Sequence, residues 1–194
     1  MSSSQHKEKD IVLSIYQSSR TVFRLNDIAM IAGITNFQSL NKRLNYYVQT
    51  GKLLNPRKGI YAKPEYSREE LACSVFRPAY ISLEYVLQQA GIVFQYDSSI
   101  TAVSYLSREI EIEKQTYRYR KIKKEILINT DGIKQKDNLN IAVPERAFID
   151  LLYLEKEYYF DNLSPLKNKR VYKLLPFYQS DALTRRVTNI LEND

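Results

Sequence analysis

Residues 23–63, FRLNDIAMIAGITNFQSLNKRLNYYVQTGKLLNPRKGIYAK, carry the pattern from which the rest of the chain is read. Asn26 is placed to cap a short helix whose apolar positions are Ile28, Ala29, Ile31 and Ala32, and Gly33 is placed to end it. Ile34 and Thr35 make a turn, and Asn36 is placed to cap a second helix. In that helix Phe37, Leu40, Leu44, Tyr47 and Val48 recur three and four residues apart, so they share one buried face, and Gly51 closes it. Leu53-Leu54 and Ile60-Tyr61 then flank Asn55-Pro56-Arg57-Lys58-Gly59, two short strands about a turn with two cations at its tip. Helix, turn, helix and basic hairpin in this order predict a winged helix-turn-helix.

The outward face of the second helix carries Ser39, Lys42, Arg43 and Tyr46, with Gln38, Asn41 and Asn45 on its flanks. Asn and Gln can pair with adenine in the major groove, Arg and Lys with guanine, and Ser with either. A recognition helix sets mainly its N-terminal half against base edges, here Thr35, Asn36, Gln38, Ser39 and Lys42. Arg57 and Lys58 at the wing would meet phosphates, which position a protein without reading sequence. The competing reading is a surface helix of an interaction domain, since fold alone does not fix function.

The charge is spread unevenly. Residues 1–66 hold 10 Lys and Arg against 4 Asp and Glu, a balance of +6, while residues 67–194 hold 19 against 18. The excess therefore sits with the candidate DNA reader, as attraction to phosphate requires. Across the whole chain, 194 residues allow one large domain or two small ones. No apolar run approaches the roughly 20 residues that span a bilayer. The opening MSSSQHKEKD lacks the apolar stretch of a secretory signal, and a lone cysteine, Cys73, forms no internal disulfide. A cytoplasmic protein with no membrane partner is expected.

In chain order, residues 1–6 read as disordered. Residues 7–19 read as a helix with Ile11, Val12, Ile15 and Tyr16 inward, and residues 21–23 as a strand pairing with the wing. A linker at 64–68 precedes a capping box of Ser67 with Glu70 and a short helix at 69–74. Ser82 is placed to cap a helix that Gly91 ends. Strands are expected at 100–106, 109–113 and 116–122, with another at 125–128 and a turn at Asp131-Gly132. Pro144 suits the first position of a helix with Glu145 in its first turn and Ala147, Phe148, Leu151 and Leu152 buried. Two further helices, about 164–174 and 180–191, meet at a Pro176 turn. The fold class is thus α+β, with a winged helix-turn-helix at 7–65 and a mixed α+β domain at 68–194.

Catalysis has few materials. The single histidine, His6, lies in the polar tail, which leaves no Ser-His-Asp or Cys-His system. One Cys and one His make no structural zinc site, and Gly33, Gly51, Gly59, Gly91 and Gly132 build no phosphate loop. Glu109, Glu111 and Glu113 read as a wet strand face, and Asp150 as a partner for Arg118 or Arg146. No catalytic residue, metal or cofactor is expected. In the second domain the candidate surface is Arg118, Arg120, Lys121, Lys123 and Lys124, whose cations beside Tyr117 and Tyr119 suit phosphate and a stacked base. Lys167, Lys169, Arg170 and Lys173, with Arg185-Arg186, extend it. The plainer reading of that surface is a solvated strand balanced by the glutamate row.

Three stretches together resemble a known family. They are Tyr80-Ile81-Ser82-Leu83-Glu84 leading to Ala90-Gly91, Ile100-Thr101-Ala102-Val103 followed by Tyr117-Arg118-Tyr119-Arg120, and PERAFIDLLYL at 144–154. With the N-terminal pattern and Gly59-Ile60-Tyr61, the chain from about residue 10 to 155 resembles the AbiEi family of antitoxins of bacterial abortive-infection, type IV toxin–antitoxin systems. The resemblance implies a winged helix that binds inverted repeats in operator DNA, as a homodimer there, and represses its own operon. It also implies a C-terminal domain that counters a nucleotidyltransferase toxin without a stable complex. The alternatives are an ordinary winged-helix regulator whose second domain senses a ligand or dimerises, and an enzyme that reverses the toxin's transfer.

Overall fold

Asp10, in extended conformation, accepts hydrogen bonds from the Val12 (2.9 Å) and Leu13 (3.3 Å) amides and so opens helix α1 (Ile11–Gln17). The computed structural model describes residues 10–192. The expectations for residues 1–6, for His6 and for a helix start at residue 7 lie outside the described residues. Ile11 and Ile15 are buried as expected, whereas Tyr16 is exposed and donates its hydroxyl to the Lys52 carbonyl at 2.8 Å. The fold is mixed α+β, in two compact units, the first ending at Val75 and the second starting at Phe76.

In the first unit α1 leads to β1 (Val22–Arg24), α2 (Leu25–Ala32), α3 (Phe37–Gln49), β2 (Leu54–Arg57) and β3 (Ile60–Ala62). The strands form one antiparallel sheet in the order β1-β3-β2, so residues 22–24 do pair with the basic hairpin. Ile11, Ile15, Phe23, Ile28, Leu40, Leu44 and Leu53 make the core, each fully buried. Truncating one such leucine to alanine costs about 2–5 kcal/mol.

Three details depart from the sequence reading. Asn26 lies inside α2; the cap is Arg24, whose amide donates to Asp27 Oδ2 at 3.1 Å. Phe37 is 45% exposed, because at the first position of α3 it precedes the turns whose side chains reach the core. The hairpin turn is shorter than expected, with Asn55, Pro56 and Arg57 in β2 and only Lys58 and Gly59 between the strands.

The first unit also includes α4 (Arg68–Val75), which the sequence reading gave to the second domain. The reason is the buried Glu70 carboxylate. Its Oε2 accepts from the Thr21 amide (2.7 Å), the Thr21 hydroxyl (3.0 Å) and the Val22 amide (3.0 Å), which fastens the helix to the start of β1. The Ser67 cap is present, with its hydroxyl accepting from the Glu70 amide at 3.1 Å. Cys73 is buried among these residues.

The second unit is built on a six-stranded mixed sheet in the order β6-β7-β5-β4-β9-β8. The strands are β4 (Ala79–Ile81), β5 (Ile100–Ser104), β6 (Arg108–Ile112), β7 (Gln115–Lys121), β8 (Ile133–Lys136) and β9 (Leu139–Ala142). The helices are α5 (Glu84–Gln89), α6 (Lys124–Ile128), α7 (Pro144–Leu154), α8 (Asn168–Leu174) and α9 (Asp181–Glu192), with a short 3-10 turn at Leu175–Tyr178. Residues 125–128, read as a strand, are helical and lie within α6, whose Ile126 and Leu127 are buried. Ser82 does not cap α5; its hydroxyl turns to Asp150. The hydroxyl of Thr101, on the neighbouring strand, accepts from the Tyr85 amide at 3.0 Å in its place. The β8–β9 hairpin is an element that the sequence reading did not contain.

Candidate nucleic-acid interface

The local sequence of the first unit fixes where its polar side chains point. Gly33 ends α2 at φ 68°, in the left-handed region that favours glycine. That turn lets the Ile34 amide reach back to the Ala29 carbonyl at 3.0 Å. Ile34 then goes into the core, and Asn36 caps α3 by accepting from the Ser39 amide at 3.1 Å. At the far end the Lys52 amide closes onto the Tyr47 carbonyl at 2.9 Å, past Gly51 at φ 70°. With both ends fixed, Leu40 and Leu44 anchor one side of α3 and the opposite side faces water.

On that open side Thr35, Asn36, Gln38, Ser39, Lys42 and Tyr46 are exposed. Arg43 is half-buried and has a partner within the protein. Gln38, Ser39 and Lys42 are thus gathered on the N-terminal half of one helix with Thr35 in the turn before it, a set of hydroxyl, amide and ammonium groups suited to base edges. Asn36 serves two ends, since its side chain is also the cap. At the hairpin, Lys58 is exposed, while Arg57 is half-buried and has a partner of its own. Asn55 shapes that turn by donating to the Arg57 carbonyl (3.0 Å) and the Ile60 carbonyl (2.7 Å). A groove of about 240 Å³ beside it is lined by Arg24, Asn26, Arg57 and Lys58. Asn26, read from the sequence only as a cap, and Arg24, given no role there, add polar groups to that groove.

The second-unit surface is different in kind. Arg118 is held between Asp97 (2.9 Å) and Glu109 (3.0 Å), and Arg120 pairs with Glu155 at 2.6 Å. The hydrogen bonds that Arg118 donates to Glu109 and Asp97 raise its pKa above the ordinary value. Tyr117 and Tyr119 are buried at 0% and 1% exposure, so neither can stack on a base from outside; the strand alternation that exposes the arginines turns both rings inward. Lys121, Lys123 and Lys124 are exposed at the end of β7 and the start of α6. In the further cluster, Arg170 lies 3.9 Å from Glu145 and Arg186 donates to the Leu152 carbonyl at 2.9 Å.

Asp150 takes Arg146 as its partner, not Arg118, and the pair sits in a polar network at the centre of the second unit. Asp150 accepts from the hydroxyls of Tyr178 (2.6 Å), Ser82 (2.8 Å) and Tyr80 (3.0 Å). Arg146 Nε lies 3.4 Å from Asp150, and its terminal nitrogens donate to the Ile126 (2.8 Å) and Asp131 (3.0 Å) carbonyls. Arg146 and Asp150 are both fully buried. Burial pushes the Asp150 carboxyl up from its ordinary value, against the opposing pull of Arg146 and the three hydroxyl donors. Burial also lifts Tyr80 and Tyr178 well above the usual phenol range, helped by the Asp150 charge. All five side chains of the network are buried, although Arg146 Nε makes no hydrogen bond, and their setting inside the unit suits a role in the fold. The sequence signal for it was the i,i+4 spacing of Arg146 and Asp150; Tyr80, Ser82 and Tyr178 lie too far away along the chain to be found that way.

Among the described residues, no group of three or more His, Cys, Asp and Glu converges to hold a metal, and no helix is long and apolar enough to cross a membrane. No family model matches the chain, and no curated protein matches it.

Proposed function

We propose that the first unit is a winged helix-turn-helix that reads operator DNA, with α3 in the major groove and the β2–β3 turn against the backbone. The observation that carries this reading is the open polar face of α3. Its N-terminal half presents Gln38, Ser39 and Lys42 to solvent, with Thr35 exposed in the turn before it, while Leu40 and Leu44 hold the helix to the core. The +6 balance of residues 1–66 supports it, because neutralising phosphate and releasing its counterions is what gives such a protein affinity for any duplex.

On the same footing, the resemblance of residues 10–155 to the AbiEi family supports a type IV antitoxin that represses its own operon as a homodimer on inverted repeats. In this reading the second unit counters a nucleotidyltransferase toxin without a lasting complex and without catalysis of its own. The alternating carboxylate partners of Arg118 and Arg120 leave Lys121, Lys123 and Lys124 as the cations through which that unit would touch nucleic acid.

The test has two arms. Binding to a duplex from upstream of the chain's own operon is followed by fluorescence anisotropy, for the wild-type chain and a Gln38→Ala, Lys42→Ala, Lys58→Ala variant. The wild type should bind tightly with a steep salt dependence, and the variant weakly. Growth is then followed with a co-expressed nucleotidyltransferase toxin encoded beside it. Rescue by both proteins would place neutralisation in the second unit. Failure of the wild-type chain to rescue would remove the antitoxin reading and leave the DNA-binding one to stand on the first arm.

A further inference from the structure

The second unit displays aromatic side chains on two loops that backbone hydrogen bonds fix together. One loop follows α5 and the other follows α7. The Asp161 (3.0 Å) and Asn162 (3.2 Å) amides donate to the Ile92 carbonyl, Asp161 Oδ2 accepts from the Phe94 amide (2.8 Å), and Asn162 Nδ2 donates to the Gly91 carbonyl (3.3 Å). The second loop is rooted in the core by a ladder of rings, Phe148 to Phe160 at 4.8 Å and Phe160 to Tyr158 at 5.1 Å. On these fixed loops Phe94 is 66% exposed, Tyr96 88% and Tyr159 80%. Rigid, solvent-facing aromatic rings are the side chains that most often anchor protein interfaces.

A groove that both loops help to line is acidic. Glu84, Gln88, Val93, Gln95, Asp97 and Tyr158 line this groove of about 220 Å³. Arg118 is shared between Asp97 and Glu109, so one cation serves two carboxylates, and among the described residues Glu84 is in no ion pair. The Tyr158 phenol reports the same field: burial, then Glu84, Asp161 and Asp97, raise its pKa. Such a groove repels phosphate, which argues against nucleic acid here. It favours a guanidinium or ammonium group, which gains from carboxylates and from ring faces together.

We propose that this surface seats an arginine- or lysine-bearing, partly apolar segment of a partner protein, with the cation in the Glu84–Asp97–Tyr158 groove and apolar side chains against Phe94 and Tyr96. The site lies wholly within the second unit and does not depend on the DNA-binding reading.

The probe is a short fluorescein-labelled peptide of alternating arginine and leucine, titrated with the full chain, beside a glutamate–leucine counterpart. The arginine–leucine peptide should bind saturably and the glutamate–leucine peptide should not. Glu84→Gln with Tyr96→Ala should weaken binding by about tenfold or more, the scale of losing one anchor. Tyr96 faces solvent and Glu84 is half-buried, so an unchanged Tm checks the fold, and Phe94→Ala, at another exposed ring, gives an independent second variant. Amide resonances of residues 84, 94–97 and 158–161 should move most. Absence of peptide binding, equal binding by the variants, or resonance shifts elsewhere would overturn the proposal. A wild-type dimer in sedimentation that the variants dissolve would overturn it too, by making a second copy of this chain the occupant.

Discussion

Helices α3 and α7 are near equals in length and both carry apolar residues at helical spacing, yet they spend their polar residues in opposite ways. In α3 only Leu40 and Leu44 are buried, and amides, hydroxyls and a lysine face water. In α7 eight consecutive residues from Glu145 to Leu152 are buried, with Arg146 and Asp150 paired inside. An open row of donors costs little to keep and is available to a partner. A closed row is costly to desolvate and is tolerated only when every charge finds its complement. The first arrangement therefore speaks for recognition and the second for specification of the fold.

The strongest way to test this contrast is to leave one buried charge alone. Arg146→Met should destabilise the second unit by about 3–5 kcal/mol, read as a lower urea midpoint, because Asp150 stays buried without its cation. Arg146→Met with Asp150→Leu should recover much of that loss. If the single variant unfolds like the wild type, the network is not what specifies this core. Next comes Glu70→Gln, which weakens three hydrogen bonds to a carboxylate and should cost the first unit about 1.5–3 kcal/mol of thermal stability.

On the open helix the expected signature is the reverse. Gln38→Ala should leave the unfolding midpoint in place and cost about 1–3 kcal/mol of binding on the cognate operator, with little change on unrelated duplex. Lys58→Ala should weaken all sequences alike and lower the salt slope by about one. The smallest effect concerns Asp97. Its pKa is lowered, chiefly by hydrogen bonding from Ser99 and then by Arg118. A depressed carboxyl adds stability above its unfolded value of about 3.9, and that stability is lost as pH falls through the folded value. Asp97→Asn should thus cost under about 1 kcal/mol at neutral pH and nothing in strong acid, followed by thermal unfolding across pH.

What could be read from the sequence follows the range of the interactions involved. Gly33, Asn36 and Gly51 act on neighbours within a turn, and the structure has them where spacing put them. The β1 pairing, the β6–β7 hairpin and Pro144 opening α7 were legible for the same reason. Misreadings cluster where a distant residue decides. Thr101 displaces Ser82 as the cap of α5, and Glu70 draws α4 into the first unit across roughly fifty positions of chain. The open face of α3 was legible too, but which cations of the helix and of the hairpin already have partners was not: Arg43 and Arg57 do, and spacing alone does not reveal it.

The strand order has one more consequence. β4, with all three residues buried, lies between β5 and β9, and β9 begins only at Leu139. During synthesis β4 emerges long before that neighbour, and for a few seconds at ribosomal speed one of its edges has nothing to pair with. An unpaired apolar edge is a template for strands of other chains. The same nascent chain is therefore most exposed to misassociation while residues 82–138 are being made, and release or stalling in that window would yield a sticky fragment.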